Sequence, residues 1–350
     1  LSMPHSAQFR HLELPMLRAQ IPGIVTTIFL ICLGSFAIAL TLGGGPKAST
    51  LELSIYQALR FDYDLGRAAL LALIQFALCA AVVVMAARLT LRPGFGAGQD
   101  RVNVVPAPGG VRRGFDVLVI VAAVLFLGAP VLAVIVKGVP GLATPPPGLW
   151  AATLRSLLVA LASALLASVA ALTLAQAAAR KPALWVDIAA MLPLSASGLV
   201  LGTGLFLMLH RWVTPAHLSL PVTMLVNAVL TMPYLYRLLL PEARQVQADY
   251  GRLARSLGMS GYDALRHVIL PRLARPLGYG AGLAAALSMG DLGVIALFAD
   301  GDWATLPLLV QHLIGAYRIE QAATAALLLS VFSFGLFWMF DQLGDRLADT

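Results

Sequence analysis

Twenty consecutive residues, VLVIVAAVLFLGAPVLAVIV from Val117 to Val136, carry neither a charge nor a hydrogen-bonding side chain. A soluble fold has nowhere to hide such a run, whereas a helix of this length matches the ~30 Å hydrocarbon core of a bilayer. Comparable stretches give eight predicted spans, at 21–42, 67–89, 116–136, 152–178, 184–208, 218–239, 277–298 and 321–341. Lipid offers no hydrogen bonds, so a spanning segment is either a helix or part of a closed barrel. These runs far exceed the alternating strands of about ten residues that a barrel uses. The expected fold class is therefore all-α, a polytopic membrane helical bundle. Composition agrees, since charged residues are only 12% of the chain, about half the share in soluble domains. Small residues, as in GLVLGTGLF from Gly198 to Phe206, allow helices to approach closely. Cys32 and Cys79 fall inside apolar runs and read as small buried hydrophobes, with no disulfide framework.

The chain also repeats itself. LSMPHSAQFRHLELPML, Leu1 to Leu17, returns as LGMSGYDALRHVILPRL, Leu257 to Leu273, with seven of 17 positions identical. Chance would give roughly one. If residues 1–20 lie inside, 17 of the 24 Lys and Arg fall on the inner side and seven on the outer. The positive-inside rule thus places both copies in the cytoplasm and makes the repeat parallel. It also explains the net charge of +7, so no nucleic-acid partner is expected. Six predicted crossings separate the copies, and two follow each. The Gly/Pro-rich linker from Arg88 to Phe115 joins the halves. The expected organisation is residues 1–90 as the end of a first half, 91–115 as a cytoplasmic linker, and 116–350 as a six-span second half with a loop at 241–276. The chain begins inside the repeat without a start methionine, and is expected to lack four opening spans of twelve.

The repeated loop has a definite local chemistry. Arg252 to Leu257 favours helix, Gly258 breaks it, and GYDALRHVIL resumes a helical pattern until Pro271. Ser260 is placed to cap the new helix, with Asp263 in its first turn. Two short helices joined at a glycine are expected to lie across the cytoplasmic face. Tyr262, Leu265 and Val268 to Leu270 form the apolar side, while Arg255, Arg266 and Arg272 stay wet. Such a helix either enters a partner's groove or rests on the headgroups.

Gly258 followed by Leu270-Pro271 thirteen residues later resembles the EAA loop of the permeases of binding-protein-dependent ABC importers. In the first copy Leu14-Pro15 matches, and Ser2 stands in the glycine position. Arg252 replaces the glutamate that names the motif, and only Ala254 of it remains. Leu287 to Leu329 and Leu33 to Gln75 are similar to corresponding parts of the thiamine permeases of that family, in which both halves are fused. The resemblance implies the type I importer permease fold, in a multi-pass protein of the bacterial inner membrane. It implies a transport subunit with no ATPase site or cofactor of its own. ATP and Mg are bound by a partner, a cytoplasmic ABC ATPase homodimer. A periplasmic thiamine-binding protein would deliver a small cationic substrate. The coupling residues implied are Arg255, Gly258, Tyr262, Leu265, Arg266, Leu270 and Pro271, with Arg10, Leu14 and Pro15 in the first copy. Fused ferric-iron permeases, and further off sulfate and polyamine permeases, share these features.

An ionisable residue inside a span marks a cavity or a partner. Asp291, in span 277–298, either guides a cation or fixes helix packing, and its counterpart in the first half is Ser35. GGGPKAST, Gly43 to Thr50, lacks the Gly-Lys-Ser/Thr ending of a phosphate loop and reads as a periplasmic loop. The outer stretches 43–66 and 299–318 either line a gate, meet a binding protein or cap the bundle. The six histidines have no metal-ligand spacing, and no catalytic set stands out. Pro193, Pro233 and Pro307 mark bends or loops. A secondary transporter would instead need several intramembrane acids or broken helices, and inverted repeats are common there.

Overall fold

The computed structural model describes residues 32–43, 49–89, 110–181, 183–210, 212, 215–259, 261–299 and 303–348, with isolated positions at 10, 14, 21, 25, 28 and 29. The described residues are helical or lie in turns between helices. In chain order the helices are α1 (Phe36–Leu42), α2 (Leu51–Arg60), α3 (Leu65–Leu89), α4 (Gly110–Gly138), α5 (Leu149–Arg180), α6 (Leu184–Met191) and α7 (Gly198–Leu209). There follow α8 (Pro215–Ser256), α9 (Gly261–Ala264), α10 (Leu270–Met289), α11 (Gly293–Phe298), α12 (Leu306–Gly315) and α13 (Ile319–Ala348).

Among the described residues six helices are long and apolar enough to cross a membrane, or seven if α6 and α7 together make one crossing. Of the eighth expected span, 21–42, residues 32–42 and four isolated positions are described, with a turn at Gly34-Ser35 before α1. Two expected spans are broken. Residues 184–208 form not one rod but α6 and α7, bent by 94°. Pro193 tightens the end of α6 into a short 3-10 turn, and the Ser197 hydroxyl accepts from Val200 N–H to start α7 afresh. Residues 277–298 break after Met289, where Gly290, Asp291 and Leu292 separate α10 from α11. Pro233 bends nothing out of helix, since it lies within the 42-residue α8. Cys79 is buried as expected, but Cys32 is exposed.

The core forms where small residues let helices touch. One face of α5 buries Ala160, Ala164, Ala167, Ala171, Ala175 and Ala178 against α8 and α10. Helix α10 meets α13 closely, with Gly278 against Gly344 and Gly282 against Phe337. Polar side chains tie helices across the bundle. Ser163 Oγ donates to Met224 O at 3.0 Å, and Thr324 Oγ1 to Gly138 O at 3.1 Å. A second core gathers α1, α2, α3, α7 and α11 around Phe36, Ile55, Leu199 and Phe298.

The internal repeat is visible in the backbone. The series α1, α2, α3 recurs as α11, α12, α13, and both α2 and α12 have ten residues. After each, a tyrosine takes a left-handed conformation, Tyr63 at φ 53° and Tyr317 at φ 58°. The following amide closes a long turn in each, Asp64 N–H reaching six residues back to Ala58 O and Arg318 N–H five back to Leu313 O, both at 2.9 Å. The stretches 49–64 and 303–318 are thus packed helices, with Leu53, Ile55, Leu306 and Leu308 buried.

Candidate functional site

Two places concentrate polar chemistry. The first is the elbow between α8 and α10. Helix α8 ends in a cap at Gly258, whose φ of +63° suits a residue without Cβ. Met259 N–H closes back onto Ala254 O at 3.0 Å. The expected pair of short helices is replaced by the inner end of the long α8 and a nearly continuous second arm. That arm runs through α9 and a π-turn at Leu265–Ile269 into α10, so the helix does not stop at Pro271. The widened turn is closed by Leu270 N–H to Leu265 O, which accommodates the amide that Pro271 lacks.

Tyr262 is 68% exposed, and Arg266 and Arg272 also face outward. Leu265, Val268 and Leu270 are half-buried, and Ile269 is buried. Arg272 lies over the Tyr250 ring at 4.7 Å, bracing the two arms of the elbow. His267 Nδ1 lies 3.1 Å from Asp263 O within the arm. Arg255 is in the last turn of α8, its side chain outside the described residues. Ser260 also lies outside them. Of the first copy only Arg10, which is exposed, and Leu14, half-buried, are described; Pro15 is not.

The second place is a buried polar junction in the second core. Glu52, in the first turn of α2, is 1% exposed, and Gln75 of α3 likewise 1%. Gln75 Nε2 donates to Glu52 Oε1 at 3.0 Å and to Ser197 Oγ at 3.3 Å. Ser197 is the residue that opens α7. A methyl on the adjacent Gly198 would stand 3.8 Å from Asp291 Oδ1, so the α6–α7 bend and the α10–α11 break meet here. Asp291 Oδ1 accepts from Gly293 N–H at 3.3 Å, and Asn227 of α8 lies beside the same carboxyl. Asn227 Nδ2 donates to Ser288 Oγ at 3.0 Å.

Buried oxygens remain without partners at Glu52 Oε2, Gln75 Oε1, Thr203 Oγ1 and Asp291 Oδ2. Ser35 turns back on its own segment, donating to Cys32 O at 2.7 Å. Its neighbour Phe36 reaches the junction, with its ring beside Gly293. On α12, burial and then the Arg60 cation hold His312 below the usual imidazole range. Among the described residues no three His, Cys, Asp or Glu gather to hold a metal.

Sequence reasoning singled out Asp291 and missed Glu52, Gln75, Ser197 and Asn227. A signal was present for two of them. Gln75 in LALIQFAL and Asn227 in LVNAVL are single strong hydrogen-bonding side chains within apolar runs. Two broken helices meeting at acids are also the feature that a secondary transporter would require.

Comparison with known proteins separates these readings. Residues 166–349 match the family described as binding-protein-dependent transport system inner membrane component. The thiamine transport system permease protein ThiP of Salmonella typhimurium is 38% identical over 361 residues, covering 98% of this chain and 66% of the relative. Its namesake in Brucella abortus is 36% identical over 354 residues, again 98% of this chain and 64% of the relative. Sulfate permease 2, chloroplastic, of Chlamydomonas reinhardtii is 30% identical over 127 residues, 35% of this chain and 34% of the relative. The chain spans about two thirds of the length of the thiamine permeases it matches (66% and 64% in these two).

Proposed function

This chain belongs to the family of binding-protein-dependent transport system inner membrane components, and on that footing we propose that it is the transmembrane subunit of an ATP-driven importer of thiamine. It has the all-α fold of such permeases and is a multi-pass inner-membrane protein. The observation that carries the substrate is likeness to thiamine permeases over 98% of the chain, against 35% for the sulfate relative.

In this reading a periplasmic binding protein presents thiamine at the outer face. A separate cytoplasmic ATPase, acting as a homodimer on ATP and Mg, closes beneath the elbow. Gly258, Tyr262, Leu265, Arg266, Leu270 and Pro271 receive that movement together with Arg255, and Arg10, Leu14 and Pro15 do so in the first copy. The exposed Tyr262 and Arg266 offer themselves to a partner, while the buried Ile269 roots the arm in the bundle. Because π-turn and helix are continuous into α10, a push on the elbow moves the α10–α11 break. Alternating access follows from tilting helices about that junction. Asp291 and Ser35 stand on the substrate path.

The test is uptake of radiolabelled thiamine by the full-length permease reconstituted with its ATPase and binding protein, competed with ferric iron, sulfate and polyamines. ATP-dependent uptake that only unlabelled thiamine suppresses is the expected result. Suppression by one of the others instead would reassign the substrate.

A further inference from the structure

Resting on the thiamine reading, we infer that Glu52 and Asp291 together form a binding site for an organic cation, the positively charged ring of the substrate, built jointly by the two repeats. Glu52 and Gln75 come from the first-repeat helices α2 and α3. Ser197 and Asp291 come from the two helix breaks of the second half.

The argument starts from what is left unpaired. Gln75 Nε2 is shared between Glu52 and Ser197, and Asn227 Nδ2 is engaged by Ser288. The capacity that remains at the junction belongs to oxygens: Glu52 Oε2, Gln75 Oε1, Asp291 Oδ2 and Thr203 Oγ1. Glu52, Gln75 and Thr203 are each at most 1% exposed, so bulk solvent does not reach them. Neither of the ion pairs seen among the described residues, Arg67–Asp62 and Arg275–Asp345, involves these two carboxyls. Buried carboxyls without a counter-charge are costly in a low-dielectric interior.

A ligand that relieves this cost is positively charged. Sulfate and other anions would meet the carboxyl oxygens of Glu52 and Asp291 and are disfavoured by the same geometry. Aromatic rings complete the surroundings. Phe36, whose ring is beside Gly293, packs on Tyr56 at 5.3 Å, Tyr56 lying one turn on from Glu52. Such faces favour a flat cation over a hydrated metal ion. Because the site straddles α2, α3, α7 and α11, tilting the repeats apart opens it and bringing them together closes it.

The experiment uses the full-length permease with its ATPase and binding protein in proteoliposomes. Buried carboxyls are labelled with dicyclohexylcarbodiimide, and the modified peptides are located by mass spectrometry. Thiamine delivered on its binding protein is expected to slow labelling at Glu52 and Asp291 by about tenfold. Exchanging Na+ for K+ or N-methylglucamine is expected to leave it unchanged. Protection by Na+ or K+ alone would assign these oxygens to an inorganic ion and overturn the proposal. Labelling indifferent to every cation, or absent even without one, would overturn it too, since a site that opens to a ligand opens to the reagent.

In parallel, Glu52→Gln is expected to lower thiamine uptake by about tenfold or more, while Glu52→Asp retains most of it. Equal loss in both variants is what a purely packing role predicts. If the wild-type complex imports no thiamine, the substrate reading falls by itself. Protection by a simple N-alkylthiazolium still reports on the cation site.

Discussion

Replacing Gly278 by alanine should loosen the close contact between α10 and α13. A Cβ at this position would lie 2.6 Å from both Phe340 O and Gly344 Cα, all backbone atoms of α13. Carbon needs about 3.5 Å from such neighbours, so the helices must separate locally by about 0.9 Å. A gap of that size forfeits a quarter to a half of the dispersion attraction along the seam. The expected loss is about 1–3 kcal/mol. Gly335, on the same α13, provides the control, because a methyl there meets nothing within 4 Å. Gly335→Ala should gain up to about 1 kcal/mol from helix propensity alone. Two substitutions of identical chemistry thus move stability in opposite directions. Thermal unfolding of the full chain in detergent, followed by far-UV circular dichroism, measures both. Gly282→Ala meets Phe337 O at 2.8 Å on the same face, and combined with Gly278→Ala it should cost less than the sum. If Gly278→Ala unfolds at or above the wild-type temperature, the close-packed seam is not what holds α10 to α13.

Gly258→Ala places a Cβ in open space but at φ +63°, and should cost about 1 kcal/mol. Faster hydrogen exchange at the Met259 amide would register it, with Gly258→Asn intermediate. Tyr236→Phe removes the hydroxyl that donates to Asp187 Oδ1, linking α8 to α6. It should cost about 1–3 kcal/mol, and a double-mutant cycle with Asp187→Ala checks that the loss belongs to this pair. His312, held below its ordinary value of 6.5, resists protonation in the fold. Unfolding restores its affinity, so its contribution to stability is present above about pH 6.5 and is lost as pH falls below it. The melting temperature should therefore decline between pH 7 and 5.5, and His312→Gln should flatten that decline; an unchanged slope would assign the effect elsewhere.

What the sequence made legible was local. Gly258 announces a helix end because no other residue takes its backbone angle so cheaply, and Pro193 announces the α6–α7 bend. The parallel repeat is readable because Leu14-Pro15 and Leu270-Pro271 recur with their surroundings. Glu52 was not legible, because an acid in TLELS looks like an ordinary first-turn residue of an exposed helix. Only the packing of α2 against α3 and α7, which no local pattern encodes, buries it. The break at Asp291 was missed for a related reason. SMGDLGV is apolar enough to read through, although glycines on both sides of the acid mark where the helix yields. Pro271 misled in the opposite sense, since a π-turn lets a helix pass a proline that periodicity alone would treat as its end.

Tyr63 and Tyr317 are 79% and 89% exposed, and Trp150 in the first turn of α5 and Trp212 in the turn after α7 are exposed too, all on the side that the charge count assigns to the outside. Amphipathic rings float at the boundary between headgroups and tails, so this quartet marks the protein's waterline. Helix α2 descends from it, ten residues long, and hence about 15 Å at most. Glu52 is therefore moored no deeper than halfway through a ~30 Å slab. A solute reaching it has shed its hydration on one leaflet's thickness only, with the other leaflet still ahead.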